Sequence, residues 1–309
     1  MRYDFDQIID RRASDSIKWN LYGEAIPLWV ADMDFPVPEP VIRALSERVT
    51  HGIFGYGKEP DELRPLLVER LKKLYGWEVS PDALIFLPGI VSGFHVAARA
   101  VTRPGDGILV QTPVYFPFFH VPRSLHLVLN EMELTRRDSG QYEVDFELFE
   151  ETITGRTRFF LLCSPHNPVG RVFTREELER MAEICLRHNI TICSDEIHCD
   201  LVFEGHPHVP IAAISPEIAR QTITLMAPSK TYNVAGIHAS VGIIPDPELR
   251  KQFQAAGAGL VPHMGVLGYA AMVSAYRDGD DWLEQVLAYM QANRDYLHDY
   301  VNIEPVSYT

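Results

Sequence analysis

A single lysine, Lys230, stands in the run Ala-Pro-Ser-Lys-Thr-Tyr-Asn at residues 227–233, just past the apolar stretch 222–227. An amine at the end of a buried strand is partly desolvated. Desolvation lowers its pKa and leaves it nucleophilic, which is what a Schiff-base lysine requires. Two other apolar runs end in the same manner. Residues 158–163 lead into Ser-Pro-His-Asn-Pro-Val-Gly (164–170), and residues 190–193 lead into Ser-Asp-Glu-Ile-His (194–198). In an open parallel α/β sheet the ligand site lies off the carboxyl ends of the strands. An amide (Asn167), an acid (Asp195), an imidazole (His198) and an amine (Lys230) then converge. Each has an ordinary use when taken singly: Asp195 as a helix N-cap, Asn167-Pro168 as a turn, His198 as a buried edge histidine. Their joint occurrence at successive strand ends is what points to chemistry.

The elements that must hold these groups are legible as alternating patterns. Strand-like runs lie at 84–87, 107–111, 125–131, 157–163, 190–194, 222–227 and 239–244. Helical spacing appears at 61–75 through Leu63, Leu66, Leu67, Leu71 and Leu74. It recurs at 174–188, where Thr174 and Glu177 match a capping box, and at 281–300. Such alternation predicts a mainly parallel sheet flanked by helices. Leu84 to Leu87 reads as a strand, Pro88-Gly89 as a turn and 91–103 as a helix, whose free N–H groups would attract an anion. No G-x-G-x-x-G fingerprint follows Gly89. Residues 1–46, with Pro27, Pro36, Pro38 and Pro40, read as an extended arm.

With these motifs in place the sequence resembles the fold-type I pyridoxal-phosphate enzymes of the class I/II aminotransferase superfamily. Within it, the chain is similar to the MalY/PatB-type C–S β-lyases, the cystathionine β-lyases. The resemblance rests on Trp-Val-Ala-Asp-Met-Asp-Phe (29–35), Tyr56-Gly57, Pro88-Gly89-Ile90, Thr-Pro-Val-Tyr (112–115), residues 164–170, 195–198 and 229–233. It implies that Lys230 forms the Schiff base with pyridoxal 5'-phosphate and later moves the proton at the substrate Cα. Asp195 would pair with the pyridine nitrogen, holding it protonated so that the ring becomes an electron sink. Asn167 would donate to the phenolic oxygen. His198 stands where many aminotransferases carry a tyrosine for that oxygen, a departure that weighs against ordinary transamination. Tyr115 would stack on the ring. The phosphate falls to the backbone of Ile90 and Val91 with help from Ser229, and to Tyr56 reaching across the interface of a homodimer with a shared active site. Asp32 and Asn167 are expected to face the substrate.

The resemblance implies a three-layer α/β sandwich with a mainly parallel seven-stranded sheet, its last strand antiparallel, plus a small, incomplete α/β domain. The expected division is an arm at 1–46, a large cofactor-binding domain at 47–278 and the start of a small C-terminal domain at 279–309. Family members continue into a small sheet that supplies an arginine for the substrate carboxylate; no residue here is assigned to that place. The expected activity is cleavage of cystathionine or a cysteine S-conjugate to a thiol, pyruvate and ammonia. The alternatives are an aminotransferase, which shares the first carbanion, and a non-catalytic cofactor-binding protein or fragment.

Composition bounds these readings. The 309 residues are 46% hydrophobic and 23% charged, enough for a large core and a second domain. The net charge of -14 repels phosphate backbones, so nucleic acid and anionic membrane are poor partners. Cys163, Cys185, Cys193 and Cys199 form no C-x-x-C and no zinc spacing, which fits buried free thiols in a reducing cytoplasm and no metal. The N-terminus shows no apolar stretch of signal-peptide kind.

Overall fold

A computed structural model of the chain describes residues 2–301. Nine strands occur among the described residues: β1 (Leu84–Leu87), β2 (Gly107–Thr112), β3 (Val128–Glu133), β4 (Thr135–Arg136), β5 (Tyr142–Glu143), β6 (Thr157–Cys163), β7 (Thr191–Asp195), β8 (Thr222–Met226) and β9 (Ser240–Ile243). β4 and β5 make a separate two-stranded ribbon. The other seven form one sheet in the order β1-β9-β8-β7-β6-β2-β3. β9 runs antiparallel to both β8 and β1, and every other pairing is parallel. Six strands therefore point the same way, and their carboxyl ends share one edge of the sheet.

The strand sequences explain the layering. β6, Thr-Arg-Phe-Phe-Leu-Leu-Cys, is buried at every position but Arg158, so both of its faces are covered. Phe159, Leu161 and Cys163 pack in one core with Phe94 and Ala97 of the helix Ile90–Val101 and with Phe253 of the helix Pro247–Gly257. The alternate residues Phe160 and Leu162 pack in another with Leu178, Met181 and Cys185 of the helix Arg175–Arg187. A period of two on the strand thus feeds two helical layers. The result is the expected three-layer α/β sandwich with a seven-stranded sheet. Thr174 and Glu177 close their capping box at the start of the helix Arg175–Arg187.

Three expected boundaries are corrected. The strand expected at 125–131 begins at Val128. Residues His120–Leu125 form a short helix, which His126 ends in the left-handed conformation at φ 55°. The arm expected to run to residue 46 gives way to a helix at Glu39–Thr50. Pro40 sits in its first turn, where a missing N–H costs nothing. The helix expected at 91–103 spans Ile90–Val101. The last described helix is Asp280–Val301, and the expected continuation at 302–309 lies outside the described residues. Phe5 folds back on it, meeting the rings of Trp282 and Tyr289 at 6.0 and 5.4 Å, and Phe35 meets Tyr289 at 5.5 Å and Phe5 at 5.1 Å. No helix among the described residues is long and apolar enough to cross a membrane.

Candidate active site

The carboxyl edge of the sheet opens into a cavity of about 800 Å³. β6, β7 and β8 are neighbours, with Cys163 level with Asp195 and Asp195 level with Leu225. The loops that leave these strands therefore meet. They bring Asn167, Asp195, His198, Ser229 and Lys230 to one wall, and the turn after β2 adds Tyr115.

The far end of the cavity is built by the turn after β1. Gly89 is the N-cap of the helix Ile90–Val101 and offers no side-chain cap, so the first N–H groups of that helix are unpartnered by side chains. Ile90, Val91 and Ser92 line the cavity there. A Cβ built on Gly89 would meet no atom within 4 Å, so the glycine leaves open space in front of these donors. One turn on, Gly93 sets the helix down on the sheet. A Cβ at that position would come within 3.1 Å of Leu225 and 3.2 Å of Leu87.

Lys230 sits in the one-turn helix Pro228–Thr231, half-buried, and its Nζ donates to the carbonyl of Ala31 at 3.4 Å. Burial lowers its pKa, and the nearby charges of Asp32 and Asp195 oppose that shift. Asp195 is 3% exposed. One carboxylate oxygen accepts from the Ile197 N–H at 3.2 Å. Burial pushes its pKa up to about 7; the Ile197 bond and the Lys230 charge oppose this, and Glu196 next to it adds to the rise. A buried carboxyl of this kind calls for a cation. His198 is pushed down to about 4, first by burial and then by Lys230, and is neutral at physiological pH. Burial raises Tyr115, with Asp195 and Cys163 adding to the effect. The Asn167 backbone is pinned by the Tyr115 N–H at 3.0 Å and by Cys163 Sγ, while its amide side chain has no hydrogen-bond partner among the described residues.

Two expected residues do not line the cavity, although the Asp32 charge still acts on Lys230. Asp32 Oδ2 accepts from Arg11 at 2.6 Å, and its Oδ1 is buried without a partner. Arg11 also holds Asp34 at 2.7 Å, and Lys18 and the Trp19 indole hold the same carboxylate at 2.7 Å. Burial works against the Asp34 charge, but these donors outweigh it and lower its pKa. Trp29, Val30 and Ala31 line the cavity in place of Asp32. Tyr56 is fully exposed and belongs to a separate surface pocket with Gly57, Lys58 and Val266. A single chain does not bring it to Lys230.

Sequence reasoning missed Asn233 although it lies in the lysine motif. Its Oδ1 accepts from the Met33 N–H at 2.9 Å, and its Nδ2 donates to the carbonyls of Met33 and Phe35 at 3.1 and 2.9 Å. It adopts φ 58°, where an amide side chain is better tolerated than most. Asn233→Ala is expected to lose about 2–4 kcal/mol of stability, from the lost bonds and the left-handed backbone together. Asn233→Gly should cost about 1 kcal/mol less, because only the bonds are lost. Urea unfolding of the two variants reads the difference, and equal losses would exclude backbone strain.

The sheet, the lysine at a strand end and the buried acid beside it define a class that comparison makes explicit. Residues 24–307 match the profile of the class I and II aminotransferases, and the chain belongs to that family. Among curated proteins it is 39% identical to cystathionine beta-lyase PatB of Bacillus subtilis (strain 168), over 97% of this chain and 79% of that protein. Among solved structures it superposes on cystalysin of Treponema denticola, which contains a pyridoxal 5'-phosphate cofactor. The TM-score is 0.94 at 34% identity, over 98% of this chain and 79% of that one. It also superposes on a pyridoxal-phosphate-bound C–S lyase of Staphylococcus hominis, with a TM-score of 0.92 at 34% identity over 97% and 77% of the two chains. The chain thus spans about four-fifths of the length of these relatives.

Proposed function

We propose that this chain is a pyridoxal-phosphate-dependent carbon–sulfur β-lyase acting on cystathionine or a cysteine S-conjugate. The observation that carries this reading is the cavity itself. It holds a half-buried amine of lowered pKa and a buried acid in need of a cation, and an uncapped helix N-terminus closes its far end. These groups fit the cofactor's aldehyde, ring nitrogen and phosphate in turn. The relatives named for cystathionine β-lyase and C–S lyase activity support the same choice.

Bound there, the cofactor supplies an electron sink for charge developed at the substrate Cα. The residues of the chain do the rest. The N–H groups of Ile90, Val91 and Ser92, with Ser229, would hold the phosphate. Asp195 would hold a proton on the ring nitrogen, Asn167 would donate its free amide to the phenolic oxygen, and Tyr115 would offer its aromatic face to the ring. His198, held neutral, adds a hydrogen-bonding group without adding charge. Lys230 Nζ takes the Cα proton, and its lowered pKa leaves more of the amine free to do so near neutral pH. The Cβ–S bond then breaks with its electron pair going to sulfur, and hydrolysis of the three-carbon remainder yields pyruvate and ammonia.

A homodimer completes this reading. Ile53, Phe54 and Tyr56 are exposed together, as a surface covered by a second copy would be, and Tyr56 would reach the partner's phosphate site. Four buried free cysteines suit a reducing cytoplasm. Residues 47–278 act as the cofactor-holding unit, and the helix from Asp280 opens the second domain. Transamination is the second reading, favoured by the family match itself.

One assay separates the two. Purified chain, loaded with pyridoxal phosphate, is given cystathionine with and without a keto acid. Equal pyruvate and thiol without any keto acid is the expected result. Product only in the presence of the keto acid would move the assignment to an aminotransferase. Failure to retain the cofactor at all would overturn both readings.

A further inference from the structure

Behind the lysine turn lies a buried ion pair that the proposed mechanism does not use. Arg70 Nη2 meets Asp200 Oδ1 at 2.8 Å, with side chains 11% and 6% exposed. Asp200 stands five residues past Asp195 and two past His198, at the end of the same loop. Its other oxygen, Oδ2, accepts from Thr231 Oγ1 at 2.9 Å. Thr231 is fully buried and directly follows Lys230. Arg70 also contacts Asp280 at 3.3 Å, and Asp280 accepts from the hydroxyl of Tyr232 at 3.3 Å. The Arg70 guanidinium lies 5.0 Å from the centre of the Tyr276 ring. Burial works against the Arg70 charge, yet Asp200 and the groups around it outweigh burial and hold the guanidinium ionised.

The three residues after Lys230 are thus each tied down by a side chain: Thr231 to Asp200, Tyr232 to Asp280 and Asn233 to the segment 33–35. Lys230 itself has one long hydrogen bond, to Ala31. In a one-turn helix successive side chains leave about 100° apart, so fixing Thr231 sets the direction in which the Lys230 side chain leaves the turn. Salt-bridged carboxylates are common in folds, but this one carries its second oxygen to the neighbour of the amine.

We propose that Arg70, Asp200 and Thr231 form a positioning relay that sets where the Lys230 amine sits relative to Asp195. Asp200 belongs to the Asp195 loop and Thr231 to the Lys230 turn, so a single carboxylate joins the two halves of the site. Removing the Thr231 hydroxyl loosens the anchor next to Lys230 while leaving the Arg70–Asp200 pair and the Tyr232 and Asn233 bonds intact. The amine then samples solvent, where its proton is held more firmly.

This inference rests on Lys230 being the reactive amine, and its test is chosen to separate the two. Cofactor-free wild type, Thr231→Val and Thr231→Ser are methylated with formaldehyde and cyanoborohydride between pH 6 and 10, and modification of the Lys230 peptide is followed by mass spectrometry. Thr231→Val is expected to move the pH profile of Lys230 upward and to slow its modification at pH 7.5 by roughly threefold or more. Thr231→Ser, which keeps the hydroxyl, is expected to follow wild type. An unchanged profile in Thr231→Val, with only its melting temperature lowered, would reduce the relay to a structural brace and overturn the proposal. A wild-type chain that binds pyridoxal phosphate without any contribution from Lys230 would overturn the functional reading instead.

Discussion

Lys230→Ala is expected to lose turnover by on the order of 10³-fold or more while folding as well as the wild type. The loss follows from the two tasks of the amine, covalent capture of the cofactor and removal of the Cα proton, since a positioned acid–base group alone contributes roughly 10²–10⁴-fold. The retained stability follows from the environment. The amine makes a single 3.4 Å hydrogen bond, and its pKa is lowered chiefly by burial. At neutral pH its charge is therefore held at a cost in the fold that the unfolded chain does not bear. Alanine removes that cost. Pyruvate release from cystathionine and urea unfolding measure the two effects. A variant that keeps a tenth of the wild-type rate would show that the proton is moved by another group.

Asp195→Asn is expected to act in opposite directions on stability and on chemistry. The carboxyl ionises near pH 7 in the fold, raised chiefly by burial, and near its ordinary value when unfolded. Between about pH 4 and 7 the folded chain binds a proton that the unfolded chain has lost, so stability falls as pH rises through that window. Asparagine has no proton to lose and shows no such slope. Cofactor-free Asp195→Asn should therefore match or exceed wild type in stability at pH 8 and lose that advantage at pH 4. With cofactor, the variant lacks the carboxylate that holds the ring nitrogen protonated. Its turnover should fall about 10²–10⁴-fold, the range of a lost acid–base partner. Thermal unfolding at the two pH values tests the first half. A variant less stable than wild type at pH 8 without cofactor would mean that the attraction of Lys230 for the Asp195 carboxylate outweighs the cost of burying it.

The parts of the site that were legible in the sequence are those written locally. Lys230, Asp195 and Asn167 each lie within four residues of the end of an apolar run, and the carboxyl ends of neighbouring parallel strands share one edge. The helix Ile90–Val101 announces itself through Pro88-Gly89. What escaped was contact between distant segments. Asp32 turns to Arg11 rather than to the cavity, a choice made by a partner 21 residues away. Asn233 finds its partners about 200 residues away, and Arg70 meets Asp200 across 130. Arg70 did carry a signal. It falls on the apolar stripe of Leu63, Leu67, Leu71 and Leu74, where an unpaired charge would not survive burial. Local exceptions to propensity account for the shifted boundaries, with left-handed His126 delaying β3 and Pro40 admitted at the start of a helix.

The pairing of β1 with β9 alone has a consequence for how the chain is made. Ser240 bonds to Leu87 across 153 residues of sequence. β1 emerges early from the ribosome and finds no strand partner until β9 is synthesised, roughly 8–30 s later at about 5–20 residues per second. The long closure is paid late, as non-local pairing generally is. The helix Ile90–Val101 packs on β6, β7 and β8 as well as on β1 and β9, so it has a seat before β9 is made, and what waits for residue 240 is the pairing of β1. A nascent chain halted before residue 240 has β6, β7 and β8 but an unpaired β1, so protection of the β1 backbone from hydrogen exchange would report that translation has passed that point.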